Sequence, residues 1–123
     1  MKRAKKLSDA AARNLLLAAR EDDFVAVTRL VIKRYGRWLT VVEAAKLATM
    51  SVRAFQRKLA ANGVVFNELV DQARAELAVE MLQDSNATVD EISTTLGYST
   101  ASNFARAFER WTGQTPSEYR RGL

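Results

Sequence analysis

Apolar positions recur at helical spacing in segment after segment of this chain. Leu7, Ala11, Leu15 and Ala18 predict a helix over residues 8–20 with those four as its apolar stripe. Phe24, Val27, Val31 and Tyr35 form the next stripe, at i, i+3, i+7 and i+11. Asp22 and Asp23 stand where a capping carboxylate would sit before it, and Gly36 where a helix end favours glycine. The longest element predicted covers residues 67–83, where Leu69, Val70, Ala73, Leu77, Met81 and Leu82 stripe one face. Arg74, Glu76 and Glu80 lie largely off that stripe. At 1.5 Å per residue this helix is ~25 Å long, and it runs out in the turn-rich Asp84-Ser85-Asn86.

One start signal occurs three times. Thr40-Val-Val-Glu43, Thr88-Val-Asp-Glu91 and Thr115-Pro-Ser-Glu118 each read as a capping box, in which the threonine oxygen accepts from the N3 amide and the glutamate reaches back to the N-cap amide. Pro116 falls at N1, where a missing N–H costs least. Two of these boxes open copies of an internal repeat. Residues 41–51 and 89–99 align without gaps at an offset of 48, pairing Glu43 with Glu91, Ala44 with Ile92, Met50 with Tyr98 and Ser51 with Ser99. After one extra residue in the second copy, Phe55 answers Phe104, Arg57 answers Arg106 and Leu59 answers Phe108; Asn62-Gly63 then answers Thr112-Gly113 at an offset of 50. Two copies are too few for a solenoid, so they read as two small modules joined by the 67–83 helix.

Each module reads as a short helix, a tight turn and a second helix of about twelve residues, the helix-turn-helix arrangement. In the second copy residues 89–96 form the first helix, Gly97 turns the chain, and Ser99 or Thr100 opens the helix towards Trp111. Ile92, Leu96, Tyr98, Phe104 and Phe108 are its apolar anchors. Ala44, Ala48, Met50, Phe55 and Leu59 repeat them in the first copy, and the small Ala44, Ala45 and Ser93 permit close helix approach. The aromatics Phe55, Phe104, Phe108, Trp111 and Tyr119 read as core.

Composition narrows the function. With 123 residues the chain suits one domain or two very small ones, and five Gly with one Pro favour an all-α fold over a sheet. There is no Cys and no His, which removes disulfides, thiolate and imidazole catalysis, and most transition-metal sites. No metal and no cofactor is expected. No apolar run approaches a membrane span, and the short run Leu15–Ala19, followed by Arg20-Glu21-Asp22-Asp23, is a poor secretion signal, so a bacterial cytoplasmic setting is the default. Net charge is +5, yet residues 1–35 hold nine Lys/Arg against four Asp/Glu while residues 36–123 hold ten against ten. The excess starts with Lys2, Arg3, Lys5 and Lys6, a cluster that is more often a solvated tail than a nucleic-acid arm.

The second helices carry the candidate chemistry. Arg53, Gln56 and Arg57 share the face opposite Phe55 and Leu59; arginine can bind guanine O6/N7 and glutamine adenine N6/N7, each in bidentate fashion. Ala101, Ser102, Asn103 and Arg106 occupy the comparable stretch of the second module, and Ser102, Asn103 and Arg106 are its candidate base contacts. A solvated face explains any one arginine, but the pair Arg57 and Arg106 at one module position favours DNA. Ser51, Ser99, Thr100 and Arg110 are the candidate phosphate contacts. For Ser51 and Ser99, capping alone and capping with a phosphate contact stand equal.

The segment Val89-Asp-Glu-Ile-Ser-Thr-Thr-Leu-Gly-Tyr-Ser through Gly113, Pro116, Tyr119 and Arg120 resembles the signature of AraC/XylS transcriptional regulators. Residues 42–59 and the connecting helix resemble the rest of that family's DNA-binding domain, so the likeness runs over about residues 39–121. The resemblance implies seven helices in two homeodomain-like helix-turn-helix subdomains joined by a long linker helix. It implies recognition helices entering successive major grooves, with Arg53, Gln56 and Arg57 reading one box and Ser102, Asn103 and Arg106 the other. The expected layout is an N-terminal basic tail and helices over 1–38, acting as linker or interaction segment, then the DNA-binding domain over 39–123. Within it the modules cover about 40–63 and 88–113, the linker about 67–83, and a last helix about 116–121. Thr49 departs from the pattern at the turn position that Gly97 fills, Ser93 stands for a commoner alanine, and Glu109 for a commoner lysine. Only about 38 residues precede the domain, which fits a stand-alone short regulator or a piece of a longer one.

An enzyme reading has little to stand on, since without His or Cys it would need a carboxylate pair or a lysine, and the acids lie scattered on helix faces beside basic residues. A helical protein-interaction adaptor is the alternative to a DNA-binding regulator. RNA binding lacks a stacking motif or a Gly-rich clamp. Double-stranded DNA is the expected partner; RNA polymerase and a second copy, pairing through the N-terminal helices, are further candidates.

Overall fold

The computed structural model describes residues 6–84 and 86–123; Lys2, Arg3, Lys5 and Ser85 therefore lie outside the described residues. Those residues form helices and no strand, in the order α1 (Asp9–Ala18), a single 3-10 turn (Glu21–Asp23), α2 (Phe24–Arg34), α3 (Val41–Leu47), α4 (Val52–Ala61), α5 (Phe66–Asp84), α6 (Val89–Thr95), α7 (Ala101–Thr112) and α8 (Pro116–Arg121). Among them no helix is long and apolar enough to cross a membrane. Six helices lie within residues 39–121, one fewer than the resemblance implies, with α2 just upstream.

All three capping boxes form. The hydroxyls of Thr40, Thr88 and Thr115 accept from the N3 amides of α3, α6 and α8, and the glutamate of each box accepts from its threonine's amide at 2.8–2.9 Å. Each satisfies two of the orphan donors at a helix start. Gly36 has φ +101° directly after α2, the left-handed stop expected there.

Two expectations at the N-terminal end are corrected. Neither Asp22 nor Asp23 caps α2 with its side chain. The chain enters α2 from a 3-10 turn, in which the Asp23 amide bonds the Arg20 carbonyl at 2.9 Å. The amide of the N-cap residue is thus paired with backbone. The apolar stripe of α1 is also rotated. Ala12 and Leu16 are buried, whereas Leu15 is 38% exposed and Ala18 is exposed. Apolar residues surround Leu16 on both sides, so periodicity alone could not fix the phase, and packing against α2 and α3 selected it.

The described residues divide into two compact units, one ending at Ala73 and one beginning at Arg74, with the break inside α5. In the first, Ala12, Leu16, Phe24, Val31 and Ile32 share one core with Ala44, Phe55, Leu59, Phe66 and Leu69. The helices before Leu39 are thus packed onto the first module. In the second unit Leu77, Leu82, Ile92, Leu96, Phe104 and Phe108 are buried, and Phe108 makes edge-on ring contacts with Trp111 and Tyr119 at 6.4 and 5.6 Å. Such pairs add about 0.5–1.5 kcal/mol beyond the area they bury.

Candidate nucleic-acid interface

In the first module α3 and α4 meet across a tight turn at Thr49. Ser51 caps α4, its hydroxyl accepting from the Ala54 amide at 3.1 Å. Phe55 and Leu59 are wholly buried, which fixes the roll of the helix and turns residues 53, 56 and 57 outward. Arg53, Gln56 and Arg57 are exposed, at i, i+3 and i+4 along one face, and make no hydrogen bond or ion pair with other described residues. Their donors are available to a ligand without breaking a contact among the described residues. The next cation, Lys58, is committed elsewhere. Its ammonium sits 4.3 Å from the Phe24 ring centre and 3.4 Å from Glu21 Oε2, so it braces α4 against the N-terminal helices. Phe24 also meets Phe55 edge-on at 5.9 Å.

The second module differs at its helix start. Thr100, and not Ser99, caps α7, accepting from the Asn103 amide at 3.0 Å. The extra residue of the second copy shifts the cap by one, so the structural counterpart of Ser51 is Thr100. Capping of α7 by Ser99 is thereby overturned. Ser99 Oγ instead accepts from Asn103 Nδ2 at 3.2 Å. Asn103 Oδ1 in turn accepts from Arg106 Nη2, giving a row Ser99–Asn103–Arg106 along α7. Ser102, Arg106 and Arg110 are exposed and follow one another at i, i+4 and i+8. Beneath them Phe104 and Phe108 are wholly buried. Tyr98 packs 5.9 Å from the Phe104 ring, and the Arg74 guanidinium sits 5.3 Å from the Tyr98 ring centre.

Behind α7 the chain end is held by Arg120. Its guanidinium donates to the carbonyls of Ala87 at 2.6 Å, Met81 at 3.3 Å and Leu82 at 3.4 Å. Met81 and Leu82 lie in the last turn of α5, where helix carbonyls run short of intrahelical donors. Tyr119 adds a bond from Gln83 Nε2 to its hydroxyl at 3.1 Å. The quoted Tyr119-Arg120 ending was legible as a signature, but its job as a clasp on α5 was not.

The electrostatics of the helix starts follow the caps. Glu43 is lowered to about 2, chiefly by the Arg37 guanidinium 2.6 Å away and then by the Thr40 amide. Glu91 and Glu118 are lowered by the Thr88 and Thr115 amides.

The fold therefore gathers Arg53, Gln56 and Arg57 on α4, and Ser102, Asn103, Arg106 and Arg110 on α7. Lys58 and the Asn103–Arg106 pairing are what residue types alone did not disclose. The i, i+3 spacing of Asn103 and Arg106 was the available signal for the second.

Residues 44–122 match the helix-turn-helix domain family. Over 81 residues the chain is 43% identical to the HTH-type transcriptional regulator VqsM of Pseudomonas aeruginosa, an alignment covering 66% of this chain and 25% of that protein. The chain spans about a quarter of the length of the curated relatives it matches first. Among solved structures it is similar to the transcriptional regulator CdpR from Pseudomonas aeruginosa, with a TM-score of 0.70 and 26% identity over 93% of this chain and 40% of that one. The DNA-binding domain of AdpA, solved in complex with a target DNA, shares the fold at a TM-score of 0.67 and 24% identity, covering 80% of this chain and 90% of that one.

Proposed function

The chain belongs to the AraC-type helix-turn-helix family, and from that premise we propose that it is a transcription regulator that binds double-stranded DNA in a sequence-specific manner. The observation that carries this reading is α4: a helix capped by Ser51, rolled by buried Phe55 and Leu59, and presenting Arg53, Gln56 and Arg57 with no partner among the described residues. A major groove accepts such a helix, and those side chains match guanine and adenine edges. AdpA, which shares the fold, was solved on target DNA, and VqsM carries the name of a transcriptional regulator.

In this reading residues 39–123 do the reading, with α4 on one box and α7 on another of different chemistry. Ser51, Thr100 and Arg110 contact phosphate; Ser99 supports Asn103. The helices before Leu39 hold α4 through Lys58 and Phe24. RNA polymerase and a second copy of the chain are the further partners of a regulator working in the cytoplasm, and the exposed Leu15 and Leu30 support pairing through α1 and α2.

Selection of bound duplexes from a random pool tests the proposal. Enrichment of two unlike boxes is the expected result. Binding with no enriched sequence, or none at all, would favour the adaptor reading.

A further inference from the structure

We propose that Asn103 is a positioning residue for Arg106 and does not itself read a base. The inference rests on the DNA-reading function proposed above and assigns the work within α7. Asparagine recognises adenine by offering a carbonyl acceptor and an amide donor together. Both groups of Asn103 are already engaged: Oδ1 accepts from Arg106 Nη2, and Nδ2 donates to Ser99 Oγ at 3.2 Å. Each group keeps one further donor or lone pair, but these two bonds set the plane of the amide, and turning its edge onto adenine would give up that orientation and loosen the arginine.

The same two bonds suit a different task. A free arginine loses rotamer freedom when it docks on guanine, at a cost of the order of 0.5–1.5 kcal/mol per immobilised side chain. Asn103 holds one edge of the guanidinium one helical turn below it, leaving the rest of the fork for O6 and N7. Ser99, freed from capping because Thr100 takes that role, fixes the amide's orientation from the other side. The row therefore works as a relay of orientation, Ser99 to Asn103 to Arg106. The first module has no such relay. Three residues before Arg57 stands Ala54, which cannot accept a hydrogen bond through its side chain. Arg57 thus docks without a brace where Arg106 docks with one.

The test uses the full chain and the duplex that wild type selects from a random pool, with every base pair of the site then varied singly. Arg106→Ala should abolish preference at one base pair, a loss of roughly 5- to 150-fold in discrimination. Asn103→Ala should weaken binding roughly 2- to 12-fold, the released ordering cost, and blunt preference at that same base pair. In the Arg106→Ala background it should add almost nothing. Asn103→Asp, which keeps the acceptor, should restore the preference even if its charge lowers affinity for every duplex equally. A preference lost at a second base pair in Asn103→Ala, additive with Arg106→Ala, overturns the proposal, as does an unchanged affinity and profile. Those results leave sequence-specific binding intact. A wild-type chain that selects no sequence defeats the proposed function itself, and this inference with it.

Discussion

Thr49 and Gly97 occupy the same turn position of the two modules, and both are left-handed, at φ +57° and +86°. Threonine is the sole non-glycine among the described residues with positive φ, and its hydroxyl bonds the neighbouring Ala48 carbonyl at 2.6 Å. The turn geometry is therefore kept in the first module against the preference of its residue. A β-branched side chain in this region is held there by the packing of α3 on α4.

Replacing Thr49 by glycine relieves that cost, about 1–2 kcal/mol for a left-handed L-residue, against a glycine entropy loss of about 0.5–1 kcal/mol. Urea denaturation should show Thr49→Gly neutral to more stable by up to ~1 kcal/mol. Gly97→Thr should destabilise by ~1 kcal/mol or more. A clear loss of stability in Thr49→Gly would place the strain elsewhere.

Arg120→Ala removes a charged donor from the carbonyls of Met81, Leu82 and Ala87. Bonds to charged groups contribute about 1.5–3 kcal/mol, and because the three share one guanidinium the total should be about 2–4 kcal/mol. Arg120→Lys should recover only part, since a point charge cannot span three carbonyls. Equal stability of wild type and Arg120→Ala in a denaturant titration would show that the clasp contributes nothing.

The lowered carboxylates of Glu43, Glu91 and Glu118 give stability that is full above their ordinary pKa, near 4.5, and lost as pH falls through their folded values. Helicity followed by circular dichroism should hold to about pH 4.5 and then decline, with the Glu43 contribution surviving lowest, to about 2. Glu91→Gln keeps an acceptor but no titrating charge, so its stability should fall less between pH 6 and 3 than that of wild type. An identical pH profile for the two would remove the box at α6 as a source of the dependence.

Binding to duplex DNA should fall steeply with salt. If cationic side chains neutralise about six phosphates, the log–log slope is about −5. Arg110→Ala should make the slope shallower by about one and weaken all duplexes alike, whereas Arg53→Ala should cost ~1–3 kcal/mol and relax one base pair of the α4 box. If Arg110→Ala altered base preference and left the salt slope untouched, its assignment to phosphate would be wrong.

Local signals in the sequence determined the helices and their starts. A capping box needs only Thr and Glu three residues apart, which is why residues 40, 88 and 115 open helices where expected. The repeat likewise located both modules, because Phe55, Leu59, Phe104 and Phe108 must be buried wherever these helices pair. Tertiary structure decided what depends on neighbours distant in sequence. The roll of α1 was open because Leu15, Leu16 and Leu17 are interchangeable until α2 and α3 choose Leu16. Lys58 looks like the other cations of α4 until Phe24 and Glu21 are placed beside it. Ser99 and Thr100 both suit a helix start, and only the backbone leaving Gly97 gave the cap to Thr100 and released Ser99 to Asn103. Hydrogen-bond partners a turn apart can be read from spacing, whereas the choice among equivalent residues is made by packing, which no single segment contains.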